Sequence, residues 1–425
     1  MDREILRSLA GQIAQIASLD VQKKTAELYR AVNSLRMIRP VVLLDELPWN
    51  QLNGNGELTL LCQDPYLRNI ECGMRRTLWR WNHCRGDMLI EPYYDLYRSV
   101  RYGSIGVSVQ EELLHNDGDN HIVSHRYIDQ LSTMEDLEKL HTPEVWVDTA
   151  EEERNFERLD DLFGDLLPIR LQGIGFKSFS PWDTLAMWRG VEPIYIDLVD
   201  DPELLHAFMR KYTDIQKAVL DKEEALGLLD SHSPVLHCTA GYVDDLPGDI
   251  ENGKVTRKNV WGRGTAQMFA SVSPAMHDEF EIEYAKEFFD GFGLVYYGCC
   301  EPLHDKIDIV KKLPNLRKIS ITPWAEVRKS AEQMGADFVL SRKPNPATVG
   351  VSHLDEEDLR KDILETLTVC RENGTPCEFI LKDISSASYN PDNLTRWEQV
   401  VMETVKNFCS TIRRAGANRT GPFDI

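Results

Sequence analysis

Apolar residues recur at helical spacing near the start of the chain: Ile5, Leu6, Leu9, Ile13, Ile16 and Leu19, then Ala26, Leu28, Val32 and Leu35. The pattern then changes. Arg39-Pro-Val-Val-Leu-Leu-Asp-Glu46 reads as a strand, with turn chemistry after it at Asn53-Gly-Asn-Gly56. Residues 67–82 return to a helical pattern. Residues 87–150 are less regular, with β-like pieces at 88–94 and 103–109 and a polar stretch, His115-Asn-Asp-Gly-Asp-Asn-His121. Glu151-Glu152-Glu153 opens a charged helix, whose plain reading is a solvated face. Further strands are predicted over 166–173, 235–241 and 265–272. A Trp-rich helix or loop spans 181–190, and a long helix over 201–227 is entered at Asp201-Pro202. A polar excursion runs from 241 to about 264.

The C-terminal third alternates most clearly. Strand 293–300 precedes helix 304–313, and strand 316–321 precedes helix 324–334. Strand 337–340 precedes helix 356–373, and strand 377–384 precedes helix 392–410. These strands are nearly uninterrupted apolar runs, as in parallel sheets buried on both faces. Right-handed crossovers leave an open doubly wound sheet or a closed (β/α)8 barrel. No strand is followed by a Gly-x-Gly-x-x-Gly turn, since Gly262-Arg-Gly264 and Gly173-Ile-Gly175 both lack the third glycine. The expected fold is therefore α/β: a (β/α)8 TIM barrel over 39–425 with an N-terminal helical/β extension, helical over 1–38. Irregular insertions are expected around 100–160 and 241–264.

Composition narrows the function classes. The chain has 425 residues, 42% hydrophobic and 28% charged, as in an ordinary globular protein. Its formal charge of −21 disfavours nucleic acid and anionic membranes as partners. No apolar run is long enough to span a bilayer, and MDREILRSLAG puts charges where a signal peptide needs an apolar core. Nine cysteines, an odd number with two adjacent, do not form a disulfide framework. A reducing cytoplasm is the expected location. Nothing in the sequence sets the oligomeric state.

Barrel active sites lie at the C-terminal strand ends. Those ends carry His237-Cys238, Ser273-Pro-Ala-Met-His277, Cys299-Cys300-Glu301, Thr322-Pro323, Arg342-Lys343-Pro-Asn345 and Asp383-Ile-Ser-Ser386. The sharpest is Gly298-Cys299-Cys300-Glu301, because zinc accepts thiolate, imidazole and carboxylate and keeps one position open in catalytic sites. Alternation lets both thiols bind only if the chain turns there. The plain alternative is two small residues packed beneath a loop. His237-Cys238 is a weaker signal, since His83-Cys84 repeats it in a helical region. His277 caps a helix or faces the pocket. Trp49, Trp79, Trp81, Tyr93, Tyr94 and Tyr97 wall a site or fill core between the extension and the barrel. Asp119-Asn-His121 starts like a corrinoid-ligand motif, but Ser124 stands where that motif needs glycine, and the match carries no weight.

One family shares this order of elements. Pro40-Val-Val-Leu-Leu-Asp45, Pro181-Trp-Asp183, Asp197-Leu-Val-Asp-Asp-Pro-Glu203, Ser273-Pro-Ala-Met-His-Asp-Glu-Phe280, the Cys299-Cys300 strand and Asp383…Asn390-Pro-Asp-Asn-Leu394 resemble the uroporphyrinogen decarboxylase superfamily, a (β/α)8 barrel. The resemblance runs from about 39 to 410. The Arg-Gln-Ala-Gly-Arg segment of the true decarboxylase is missing, and Asp45-Glu-Leu-Pro-Trp49 stands in its place. The chain is more similar to the cobalamin-dependent methyltransferases of the superfamily, which work in anaerobic methyl metabolism. Those bind zinc through His-x-Cys at one strand end and a distant cysteine on the last strand. Here Cys299 or Cys300 matches the first cysteine, Tyr297 or Gly298 falls at the histidine, and Asp383 lies near the missing cysteine. Glu301, Asp383 or His237 would complete the set, or zinc is absent.

The resemblance implies methyl transfer between a small methylated compound (a methyl ether or methylamine) or a thiol and a corrinoid carried by a separate partner protein. Zinc would be held by Cys299, Cys300 and His237. Glu301, Asp383 and His277 are the candidate catalytic groups, and Trp49, Tyr93, Ser273 and Tyr297 the candidate substrate contacts. A decarboxylase acting on a tetrapyrrole or other acid is the alternative. It needs a cationic pocket, and only Arg39, Arg170 and Lys343 lie near predicted strand ends, Arg39 at the wrong one. A non-catalytic corrinoid-binding member is the third reading.

Overall fold

The structure, a computed structural model, describes residues 1–114, 124–246, 250 and 253–415. The 115–121 stretch, with Asp119 and His121, and part of the 241–264 excursion lie outside the described residues. Helix Asp2–Ala17 buries Leu6, Leu9, Ala10 and Ile13. They join Leu67, Ile70, Met74 and Leu78 of helix Pro65–His83 in a second apolar cluster beside the main core. Asp64 starts the latter helix by accepting the Tyr66 and Leu67 N–H groups at 3.0 Å, with Pro65 at its first position. Helix Glu356–Asn373 matches its predicted span and ends on Gly374 in the left-handed region (φ 66°). No helix among the described residues is long and apolar enough to cross a membrane.

Among the described residues, nine strands run parallel to a neighbour: β1 (Val42–Leu44), β2 (Tyr94–Tyr97), β3 (Ile169–Gln172), β4 (Phe176–Phe179), β5 (Trp261–Gly264), β6 (Leu294–Tyr297), β7 (Leu316–Ile321), β8 (Val339–Arg342) and β9 (Cys377–Leu381). Seven of them form one sheet in the order β1-β9-β8-β7-β6-β5-β4, and β2 pairs separately with β3. The chain passes from β3 to β4 through Gly173-Ile174-Gly175. The α/β class and the parallel sheet thus match expectation. Short antiparallel pairs, Val100–Tyr102 with Val145–Val147 and Glu111–Leu114 with Ser124–Tyr127, occupy the predicted irregular insertion.

Three elements differ from the sequence pattern. Residues 235–241 form a tight turn, bridged only between Leu236 and Thr239. His237 and Cys238 have φ of 37° and 66°, which no strand accommodates. The predicted 265–272 strand is a 3-10 turn, Gln267–Ser271, that buries Phe269. The strand lies just before it, β5, in what was expected to be an insertion. Its Trp-Gly-Arg-Gly sequence hides it, and packing explains the glycines. A Cβ on Gly262 would sit 2.6 Å from the Phe289 ring, and one on Gly264 would sit 2.7 Å from the Tyr297 ring.

The third difference is chemical. Side chains in parallel register share a face. Ser178, Arg263, Tyr296 and Lys318 follow one another across β4–β7, and Ser341 is in register with Glu378 on β8 and β9. This face carries polar side chains. The opposite face carries Val42, Leu44, Val295, Tyr297, Ile319, Ile321, Leu340, Phe379 and Leu381, all in the main apolar core. The strands are therefore buried on both faces but not apolar on both.

Candidate active site

Four successive strands, β6 to β9, end around one small cavity of about 220 Å³. Its wall is Cys299 and Cys300 past β6, Thr322-Pro323-Trp324 past β7, Lys343, Pro344 and Pro346 past β8, and Lys382 and Asp383 past β9. The chain does turn at the cysteines. Gly298 has φ 98°, and a Cβ there would meet Leu303 at 2.7 Å and Ser320 at 3.1 Å. Glycine is the residue that fits. The turn lets both thiols reach the site, with Cys299 buried and Cys300 exposed.

The two sulfurs lie 3.5 Å apart. His237 Nε2 is 3.1 Å from Cys299 Sγ, and Lys382 Nζ is 3.3 Å from Cys299 Sγ and 3.8 Å from Cys300 Sγ. Asp383 Oδ2 pairs with Lys382 at 2.9 Å and lies 3.5 Å from Cys300 Sγ. Glu46, past β1, closes the ring: it accepts the Asp383 N–H at 3.1 Å and the Cys238 thiol at 3.2 Å. Glu46, His237, Cys238 and Asp383 all have positive φ, half of the eight non-glycine residues that do among the described residues. Strain of this kind costs about 1–3 kcal/mol per residue and gathers where a site fixes side-chain direction.

The electrostatics favour charge separation. The Cys300 contact holds Cys299 well below the usual thiol range against burial, aided by His237 and Lys382. The same contact and burial push Cys300 up. Burial lowers His237, and Arg263 and Lys382 add to that against the Cys299 contact. Lys382 is held up by the surrounding thiols and Asp383, against its own desolvation. These directions favour the thiolate at Cys299 and the ammonium at Lys382, with His237 favoured neutral and Cys300 favoured as the thiol.

Of the residues singled out from sequence, Cys299, Cys300, His237 and Asp383 meet here. Glu301 stands behind them, fully buried. It accepts Thr265 Oγ1 at 3.0 Å, the Ala266 N–H at 3.2 Å and the Cys299 N–H at 3.0 Å, so it positions the cysteine turn. His277 and Tyr297 pair at 2.7 Å on the opposite face, in the apolar layer between sheet and helices. Burial pushes His277 down to about 3. Ser273 is exposed and caps a short helix through Met276 N at 3.2 Å. Trp49 packs edge-on against Trp79. The Tyr93 hydroxyl contacts His232 at 2.9 Å, in a cluster with Glu91 and Arg170. None of these five lines the cavity.

Sequence reasoning missed Lys382, Glu46 and Arg263. Lys382 had a legible signal: Glu378, Ile380 and Lys382 alternate along β9, so a polar face was written in the strand. Glu46 had none, because its approach depends on the β1–β9 pairing.

Zinc has the right donor chemistry here in two sulfurs and an imidazole. The arrangement does not fit it. The Lys382 ammonium stands against both sulfurs, and among the described residues no group of three His, Cys, Asp or Glu is placed to hold a metal ion.

No family model matches the chain, and no curated protein matches it by sequence. Among solved structures, the chain is similar to a methyltransferase from Methanosarcina mazei, with a TM-score of 0.47 and 12% identity over 91% of this chain and 98% of that one. A likeness at that level assigns neither a family nor an activity to this chain.

Proposed function

We propose that this chain is a methyltransferase that moves a methyl group between a small methylated compound or thiol and a corrinoid carried by a partner protein. We take the seven-stranded sheet and the β2–β3 pair as parts of one closed (β/α)8 barrel. The observation that carries the reading is the pair of sulfurs 3.5 Å apart beside Lys382, in the wall of a small cavity beyond the C-terminal strand ends. The resemblance to the uroporphyrinogen decarboxylase superfamily supports it independently.

A methyl ether or amine is inert because its leaving group is poor. The chain's part is to hold the donor out of bulk water and to face the leaving oxygen or nitrogen with proton-bearing groups. The Cys300 thiol and the Lys382 ammonium line the cavity and can do this, with Asp383 holding both. A bound corrinoid would supply the methyl-accepting nucleophile over the cavity mouth. With a thiol as acceptor, the same ammonium stabilises its thiolate. No step is assigned to zinc.

The test is anaerobic incubation of the protein with cob(I)alamin and methanol, methoxybenzene or trimethylamine, following methylcobalamin by absorbance, and the reverse reaction with 2-mercaptoethanol. Transfer by the wild type is expected, with a loss of at least about 100-fold in Lys382→Met (about 2.7 kcal/mol of transition-state stabilisation). A wild type that transfers no methyl group in either direction sinks the reading. Stoichiometric zinc that disappears in Cys299→Ser/Cys300→Ser would restore the metal. A decarboxylase remains the second reading for one reason: Arg263, Lys343 and Lys382 provide the buried cations that it needs. Release of carbon dioxide from a carboxylate substrate without methyl transfer would favour it.

A further inference from the structure

Four cations sit on or just beyond one face of the main sheet: Arg263, Lys318, Lys343 and Lys382. All are buried. Lys318 pairs with Glu378 at 3.0 Å, and Lys382 with Asp383 at 2.9 Å. Arg263 and Lys343 form no ion pair among the described residues. Arg263 Nη1 donates to Ser178 Oγ at 3.3 Å, and Lys343 Nζ to Ser341 Oγ at 2.5 Å. A buried charge without a counter-charge is costly. Lys343 shares the field of Glu378, to which Ser341 links it, so Arg263 is the charge that implies a partner arriving with the ligand.

The free atoms show what kind of partner. Arg263 Nε and Nη2 are buried and make no hydrogen bond. These two nitrogens form one edge of the guanidinium, and their N–H bonds run parallel, matching the two oxygens of a carboxylate. Tyr296 is in register with Arg263 on the next strand, and its buried hydroxyl interacts with Lys343 and makes no other hydrogen bond among the described residues. Lys343 Nζ lies 5.7 Å from the centre of the Tyr296 ring and lines the cavity. The His237 ring lies 6.4 Å from the Tyr296 ring and its Nε2 touches Cys299. Asp183 is within electrostatic range of Arg263, but its Oδ2 is taken by Gln267 at 3.1 Å.

We propose that Arg263, Tyr296 and Lys343 form a carboxylate-binding subsite next to the Cys299 centre, so that the substrate is a small methylated carboxylic acid. The carboxylate takes the open edge of Arg263 and the Tyr296 hydroxyl, with Lys343 as the second charge. The methyl-bearing end then lies toward the sulfurs. The assignment of a methyl group rests on the methyltransferase reading, whereas the anion subsite does not.

Direct binding tests the subsite apart from turnover. Matched probes are 4-methoxybenzoate against methoxybenzene and N,N-dimethylglycine against trimethylamine, with inorganic phosphate as a further arm, by calorimetry and thermal melting. At least one acid is expected to bind ten times or more tightly than its neutral or cationic counterpart. Arg263→Met is expected to lose that preference at least tenfold, while melting, free of ligand, at or above the wild-type temperature. A merely structural arginine would lower it. Cys299→Ser should bind the acid within about threefold of wild type. If Arg263→Met does not fold, Arg263→Lys and Tyr296→Phe are measured, and each should weaken acid binding. No acid preference, an Arg263 variant that binds the acid as wild type does, or phosphate binding tighter than either acid overturns the proposal. Acid binding without methyl transfer leaves the subsite and removes the methyltransferase reading. Transfer from neutral donors with no acid binding does the reverse.

Discussion

Single side chains at this site take their properties from what touches them. Cys299 and Cys300 are neighbours in sequence, yet their mutual contact pushes their thiols in opposite directions, lowering Cys299 with help from His237 and Lys382 and raising Cys300 with help from burial. His277 shows the same rule in a structural role. The unfolded chain takes up a proton on it near 6.5, while the folded protein refuses one down to about 3 because of burial and then Lys306. Below 6.5 the unfolded state therefore binds the extra proton. Stability should fall as pH drops from 6.5 toward 3, by up to about 1.4 kcal/mol per pH unit from this group. His277→Gln is expected to flatten that limb in urea midpoints measured from pH 7 to 4. An unchanged slope would show that His277 does not carry it. The glycines of β5 obey packing in the same way. Gly262→Ala should cost about 1–3 kcal/mol because Phe289 occupies the space. Gly54→Ala, with nothing within 4 Å, should stay within about 0.5 kcal/mol of wild type in the same urea titration.

Strands and helices differ in how much of their role is written locally. Helices Pro65–His83, Pro202–Ala225 and Glu356–Asn373 announce themselves through caps and apolar spacing, and their boundaries were close to legible. The turn at 236–239 and strand β5 were not, because one is apolar without being extended and the other extended without being apolar. The strands were also read as apolar on both faces, and the ion pair between β7 and β9 contradicts that. Burial pushes Lys318 down against the opposing pull of Glu378, while Lys318 with Lys343 holds Glu378 below the usual carboxylate range against its own burial. Ser341 and Thr239 add hydrogen bonds to Glu378 at 2.5 and 3.1 Å. Lys318→Met alone should cost about 3–5 kcal/mol by leaving a buried carboxylate unpaired, and Lys318→Met/Glu378→Leu should recover most of it. Equal losses in the single and double variants would mean that the pair is not coupled.

Across the whole molecule, an acidic chain gathers Arg263, Lys318, Lys343 and Lys382 on or just beyond one face of its main sheet. The surface excess of carboxylates belongs to the composition, but the gathered cations belong to the register of parallel strands. Class of fold, succession of strand and helix, and the vicinal cysteines were all readable from residue order, because propensity, capping and alternation act over a few neighbours. Of the company those cysteines keep, His237 and Asp383 were named from sequence, and Glu46 and Lys382 were not. Glu46, His237 and Lys382 are 62 to 336 positions away from one another or from Cys299, and only the pairing of strands from β1 to β9 sets them within contact. Local chemistry specifies which elements form. Long-range pairing specifies which side chains share a cavity, because register, not spacing along the chain, fixes who faces whom.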